Sequence, residues 1–278
     1  MNYKAVHIVL DKDKDKELFI ALLSALGFEG FEEKEKELVA YISEMQMPEV
    51  PALEEVVGKI PYRIEEIPDQ NWNALWESNY PAVLLDGFCG IRADFHPYFK
   101  DVQYEITINP RMSFGTGHHA TTKLMMRMMK DVSFIDKKVL DFGTGTAVLS
   151  ILASKMGAKS VIAVENDPNA VENARDNILK NNISNVDVLC DDNLGAVEND
   201  KAVVLANITK NIILEHAEEM SDKIVGKGDL LLSGLMEKDE GDITSVFEKK
   251  GFKLLKRLQD DAWIGLHFTI DSSDYVSR

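Results

Sequence analysis

Apolar positions change their spacing along the chain, and a change near residue 67 divides it. Residues 3–10 read as a strand, while 14–26 place Leu18, Leu22, Leu23 and Leu26 on one helical face. Two short β-rich runs follow at 28–33 and 37–42, then a short helix at 51–58 and a last strand at 60–67. The order β-α-β-β-α-β is that of a split βαβ, ferredoxin-like unit, which buries a helical face against a four-stranded sheet. Residues 1–67 are therefore expected to form a small accessory domain. Its one histidine, His7, falls on a strand and reads as structural.

Residues 68–81 differ from both flanks. Asp69 is placed to cap a helix that sets Trp72 and Trp76 four apart on one face, and Pro81 ends it. The stretch is expected to be a helical linker, with its tryptophans packed against a domain. In residues 82–278, strands are predicted at 138–142, 160–164, 185–190, 202–206 and 229–233, with helices between them, among them 147–156 and 169–181. This alternation is the signature of a doubly wound α/β sheet. The last two β-rich runs, 252–258 and 262–270, are joined by Gln259-Asp260-Asp261 and form a hairpin, so the sheet is expected to close with antiparallel strands.

Composition narrows the class. The 278 residues are 45% hydrophobic and 28% charged, ordinary for one large or two modest globular domains. No run approaches the roughly 20 apolar residues of a membrane span. The apolar run 5–10 stops at Asp11, and a cytoplasmic protein is expected. Cys89 and Cys190 lie far apart without C-x-x-C spacing, so they are read as small strand residues rather than as a disulfide or a zinc site. The balance of 31 basic and 47 acidic residues, a net charge of −16, argues against binding to a phosphate backbone and hence against nucleic-acid readout. It favours a cationic partner such as a basic protein. Acidity that serves only solubility is the competing explanation.

Candidate chemistry begins at Val139-Leu140-Asp141-Phe142-Gly143-Thr144-Gly145-Thr146-Ala147-Val148-Leu149, a buried strand turning through two glycines into a helix. A dinucleotide-binding turn requires a third glycine where Val148 stands, so only half of that fingerprint is present. The second strand ends in Glu165, 22 positions after Gly143, the right distance for a carboxylate to reach ribose hydroxyls. Pro168 then sits just inside the next helix, where its missing N–H costs little. Asp141, the pair Gly143 and Gly145, and Glu165 together form the pattern of S-adenosylmethionine-dependent methyltransferases. The closing hairpin agrees, because it separates the seven-stranded methyltransferase sheet from the all-parallel dehydrogenase one.

A second motif, Asn109-Pro110-Arg111-Met112-Ser113-Phe114-Gly115-Thr116-Gly117-His118-His119-Ala120-Thr121-Thr122, offers backbone N–H groups and hydroxyls ahead of a helix at 121–129. It lacks the G-K-[ST] ending of a phosphate-binding loop. His118 and His119, adjacent on an extended segment, point opposite ways and are not read as metal ligands. Asn207 stands at the carboxyl end of the fourth strand of the second domain and is expected to be the catalytic residue that positions the methyl acceptor through its amide carbonyl. It is followed by Ile208-Thr209-Lys210 rather than Pro-Pro-aromatic, which favours an aliphatic amine as methyl acceptor over a planar one. A turn-forming asparagine after a strand is the plainer alternative.

These residues resemble the bacterial ribosomal protein L11 methyltransferase family. The resemblance rests on the loop Phe114-Gly115-Thr116-Gly117-x-His119-x-Thr121-Thr122, the turn Asp141-Phe142-Gly143-Thr144-Gly145, Glu165-Asn166-Asp167-Pro168, Ala206-Asn207-Ile208 and Leu232-Ser233-Gly234-Leu235, and covers nearly the whole chain. It implies that Thr122, Gly143, Glu165 and Asn207 contact S-adenosylmethionine, with Phe114 and Gly117 in a loop closing over it. The implied reaction is methylation of lysine ε-amines, with the N-terminal α-amine as a further acceptor, on ribosomal protein L11, gripped by the N-terminal domain. Three positions depart from the family pattern, which usually has Asp at Glu165, Gly at Ala147 and Cys at Thr144. Ala147 is expected to be tolerated because the helix has begun there. Two other readings stay open: a methyltransferase acting on another protein or a small amine, and a non-catalytic S-adenosylmethionine-binding module.

Overall fold

The computed structural model describes residues 3–10, 13–34, 36–48, 50–58, 60–67, 80–109 and 116–270. The chain separates into two compact units, Met1–Tyr80 and Pro81–Arg278. The helical linker expected at 68–81, with Trp72 and Trp76, lies outside the described residues up to residue 79.

The first unit runs β1 (Tyr3–Val9), α1 (Asp13–Ala25), β2 (Gly30–Lys34), β3 (Glu37–Ser43), α2 (Val50–Val57) and β4 (Tyr62–Ile67). Its sheet has the order β2-β3-β1-β4, each pairing antiparallel. Alternation along β1 and β3 sends Val6, Ile8, Leu38, Ala40 and Ile42 to one face, where they pack with Phe19 and Leu23 of α1 and Leu53 and Val57 of α2. His7 points the other way. Its Nδ1 lies 3.1 Å from Glu37 and its Nε2 3.2 Å from Glu65, so one ring ties β1 to both neighbouring strands.

The second unit opens with a three-stranded sheet, β5 (Val83–Leu85), β6 (Cys89–Arg92) and β7 (Tyr104–Thr107), which the apolar pattern did not reveal. Strands of three and four residues are too short to show a period. There follow α3 (Ala120–Met129), β8 (Lys138–Phe142), α4 (Val148–Lys155), β9 (Ser160–Glu165), α5 (Pro168–Lys180), β10 (Val186–Cys190), β11 (Lys201–Asn207), α6 (Lys210–Glu215), α7 (Ala217–Lys223), β12 (Ile224–Met236), α8 (Glu240–Lys249), β13 (Lys253–Asp260) and β14 (Trp263–Ile270).

The seven-stranded sheet has the order β10-β9-β8-β11-β12-β14-β13. β8 to β12 pair in parallel, and β14 runs antiparallel to both β12 and β13. Its central strands are continuous apolar runs because both faces are covered. Val139, Val203 and Leu205 pack on one side with methionines of α3 and Ile151 and Leu152 of α4. Leu140, Val204 and Ala206 pack on the other with Ile213, Met220, Ile243 and Phe247. The chain winds outward from β8 through β9 to β10, then returns to the other side of β8 at β11. That reversal opens a crevice at the carboxyl ends of β8 and β11, where doubly wound sheets bind ligands.

Candidate active site

The glycine turn leaves β8 with φ of +73° at Gly143 and +55° at Gly145, a region that side chains avoid. Gly143 is also required by contact: a Cβ there would lie 2.2 Å from Cγ2 of Ile208. Three bonds stitch the turn to the end of β9. The N–H groups of Gly143 and Thr144 donate to the Val164 carbonyl at 2.9 and 3.0 Å, and that of Gly145 donates to Oε2 of Glu165 at 2.9 Å. The other Glu165 oxygen accepts from the N–H groups of Asn166 and Asp167 at 3.0 and 3.1 Å. The carboxylate is thereby locked at the cavity wall, with lone pairs remaining for a diol. Asp167 caps α5 by accepting from Asn169 N–H, and Pro168 is its first residue.

Ala147 corrects one expectation. The helix has not begun there: Ala147 is the residue before α4, with φ +62° and ψ +20°, a left-handed conformation that strains alanine and suits the glycine usual in the family.

Beneath the turn, Asp141 is 1% exposed. Its Oδ2 accepts from the hydroxyls of Thr144 and Ser150, both at 2.7 Å, while Oδ1 is buried without a partner among the described residues. Burial pushes its pKa up, and these hydrogen bonds only partly offset that.

The opposite wall comes from β11 and α3. Asn207 Nδ2 donates to the Thr122 hydroxyl at 3.4 Å, and its Oδ1 is buried without a partner among the described residues. Ile208, next along, is wedged between two glycines. Its side chain rests on Gly143, and its carbonyl would be 2.3 Å from a Cβ on Gly234, which has φ +84°. His119 is the N-cap of α3: its ring accepts from Thr121 N–H at 3.3 Å and meets Trp263 of β14 edge to face at 4.8 Å. His118 turns away, its Nε2 lying 2.8 Å from the Pro81 carbonyl oxygen. Among the described residues no group of three His, Cys, Asp or Glu side chains could hold a metal ion.

These walls enclose a cavity of about 350 Å³, within the range of small-molecule sites. Gly143, Gly145, Glu165 and Asn207 line it. Asp141 lies beneath the turn and Thr122 behind Asn207; neither is in the lining. Gly117, with φ +86°, sits over Ile91, and Phe114 lies outside the described residues. The lining adds residues not named as site residues from the sequence: His119, Thr121 and Ile208, which stood only within motifs, and Asp191, Asp192 and Trp263. For the acids a signal existed, since they follow the end of β10 just as Glu165 ends β9, and Cys190 pairs with Glu165 in register. Trp263 gave none, because only the folded hairpin brings it to the site. A bare glycine turn, a fixed carboxylate, further acids on the same side and an orphan amide acceptor suit a ligand with a diol and positive charge. S-adenosylmethionine is such a ligand.

Comparison with known proteins agrees with that chemistry. The family model for ribosomal protein L11 methyltransferase (PrmA) matches residues 4–270. The ribosomal protein L11 methyltransferase of Porphyromonas gingivalis is 38% identical over 264 residues, 92% of this chain and 91% of that one. That of Phocaeicola vulgatus is 36% identical over 89% of this chain and 91% of its own length. Among solved structures, the ribosomal protein L11 methylase of Lactobacillus delbrueckii subsp. bulgaricus superposes with a TM-score of 0.63 at 26% identity, covering 69% of this chain and 98% of its own. A methyltransferase from Pyrococcus furiosus shares the fold, with a TM-score of 0.51 at 21% identity.

Proposed function

The chain belongs to the ribosomal protein L11 methyltransferase family, and from that premise we propose that it methylates lysine ε-amines of ribosomal protein L11, with the N-terminal α-amine as a further acceptor. It is an S-adenosylmethionine-dependent protein methyltransferase. When bound, that cofactor supplies a methyl group already activated by a sulfonium. What remains for the protein is to hold, orient and desolvate.

Gly143, Gly145 and Glu165 are the residues to hold the cofactor, with Asp191 and Asp192 extending the same wall. The single observation that carries the acceptor assignment is the Oδ1 of Asn207 at the cavity edge, buried without a partner among the described residues. A buried carbonyl oxygen without a donor is costly, and an amine N–H arriving from the acceptor relieves it. The thin amide of Asn207 is fixed by Thr122 behind it, so the lone pair of an amine bound to Oδ1 is directed rather than free. Trp263, Ile208 and Phe142 give an apolar surface for the methylene stem of a lysine. A lysine amine must lose its proton before it can attack. Against a reference pKa near 10.4, that costs roughly 4–5 kcal/mol at pH 7. Desolvation in this cavity lowers the cost by disfavouring the ammonium, so no dedicated base is needed. The proton leaves to water, and the neutral amine becomes a methylated ammonium on transfer.

The N-terminal unit is proposed to be a ferredoxin-like substrate-recognition domain. Supporting this, residues 1–80 hold 17 acidic and 8 basic residues, a net −9, against −7 for the remaining 198. A basic protein meets its strongest attraction there.

The test is incubation with S-adenosylmethionine and unmethylated L11, reading intact mass and modified residues by mass spectrometry. Increments of one methyl each on lysine or N-terminal amines are expected. No increment despite calorimetric binding of S-adenosylmethionine would move the assignment to another acceptor. Replacing Asn207 by Ala is expected to lower kcat by about 10–100-fold with a much smaller change in cofactor affinity. Wild-type turnover in that variant would reduce Asn207 to a strand-end turn former.

A further inference from the structure

Helix α5 carries asparagines at 169, 173 and 177, and Asn181 caps its C-terminus; they stand four apart and therefore along one face. Two of them grip the strand that precedes the second sequence motif. Asn181 accepts from the Thr107 N–H at 3.0 Å and donates to the Thr107 carbonyl at 2.6 Å. One turn nearer the cavity, Asn177 accepts from the Asn109 N–H at 2.7 Å. The rungs keep step because four helical residues rise about 6 Å and two extended residues about 6.6 Å.

Asn177 differs from its neighbour in its second bond. Its Nδ2 donates to the Thr146 carbonyl at 3.0 Å, inside the glycine turn, whereas Asn181 has no bond to that turn. Asn177 is 0% exposed; its bond to Thr146 is buried and its bond to the half-buried Asn109 partly so, and losing either leaves a buried polar atom of Asn177 unpaired. One amide therefore joins the cofactor turn to Asn109, the first residue of the motif that leads to His119 and Thr121.

We propose that Asn177 is a positioning residue that couples S-adenosylmethionine binding at the glycine turn to the backbone at Asn109. A ligand that fixes the turn fixes the Thr146 carbonyl, and through the Asn177 amide it fixes the Asn109 N–H. Conversely, loosening Asn109 loosens the turn. The coupling rests on the glycine turn being the cofactor site, and the experiment separates the two claims.

In the full-length wild-type protein, amide hydrogen exchange is followed with and without S-adenosylmethionine. Slowing at residues 143–146 tests the site itself; its absence would refute the site and leave nothing to couple. Given that slowing, Asn109 is expected to slow as well, and Thr107, one rung lower, to change little. Equal change at Thr107 and Asn109, or none at Asn109, overturns the coupling. Calorimetry gives the second arm. Asn177→Ala is expected to weaken S-adenosylmethionine binding about tenfold, the worth of one buried hydrogen bond. Asn181→Ala, which loses comparable bonds on the same helix, should change it less than twofold. Equal weakening by both, or wild-type affinity in Asn177→Ala, would make Asn177 a structural residue only. If Asn177→Ala does not fold, the wild-type exchange arm still decides.

Discussion

At the scale of single residues, backbone conformation was the property the sequence hid best. Ala147 sits at φ +62° with its methyl buried, and left-handed geometry costs a non-glycine residue roughly 1–2 kcal/mol. Replacing it by Gly removes that strain but adds freedom to the unfolded chain, a cost of about 0.4–1 kcal/mol. The net expectation is stabilisation by about 0.5–1 kcal/mol, a rise in Tm of about 1–4 °C, measurable by calorimetry. An unchanged or lower Tm would show that the methyl contributes packing worth the strain. Gly143, Gly145, Glu165 and Asn207 all line the cavity; the cofactor contact of Asn207 was implied by the family resemblance, whereas spacing pointed to Gly143, Gly145 and Glu165, which follow the ends of predicted strands. The same logic was available for Asp191 and Asp192. Proximities such as Asn207 to Thr122, 85 residues apart in the chain, are set by which strands become neighbours, and no local pattern reports that.

At the scale of elements, the turn after β11 shows how two distant glycines serve one site. Ile208 can lie in the cavity wall only if Gly143 and Gly234 both lack a Cβ. Gly234→Ala combines φ +84° with a backbone contact at 2.3 Å, so a loss of about 2–3 kcal/mol is expected from strain and clash together. For a unit of this size that is about 5–10 °C in Tm, with weaker S-adenosylmethionine binding as Ile208 is displaced. Gly226→Ala is the control: its φ is +73° with nothing within 4 Å, so it should cost only the conformational part, about 1 kcal/mol. Similar losses in both would deny the wedge its role. A second element-level effect lies at the opposite end of the strands, where Asp200 lies between Lys138 and Lys201 and ties the start of β8 to β11. Burial alone would raise its pKa, but hydrogen bonds from both lysines outweigh that and hold it at about 2. An acid with a depressed folded pKa stabilises above its unfolded value, near 3.9, and that stabilisation fades as pH falls towards about 2. Asp200→Asn is therefore expected to lower Tm at neutral pH and to converge on wild type only as pH falls to about 2 and below. A constant difference across that range would exclude the linkage.

At the scale of the whole molecule, charge is the feature that sequence reveals completely, since it needs no fold to be counted. What it cannot reveal is whether the field acts on a partner or only keeps the chain soluble, and the two make different predictions. If the net −16, with −9 of it in residues 1–80, draws in a basic substrate, the attraction acts over the Debye length, about 10 Å at 0.1 M salt and 3 Å at 1 M. Encounter with L11 should then weaken steeply with salt, whereas cofactor binding, made of short contacts within the cavity, should not. Between 50 and 500 mM salt, kcat/KM for L11 is expected to fall about tenfold or more, while KM for S-adenosylmethionine changes less than twofold. The effect should sit in kcat/KM rather than in kcat at saturating L11, because steering changes how often the proteins meet and not how Asn207 orients the amine once they have. A salt-independent kcat/KM for L11 would assign the acidity to solubility. An equal effect on both substrates would place it in the cavity, on Glu165, Asp191 and Asp192, rather than on the N-terminal unit.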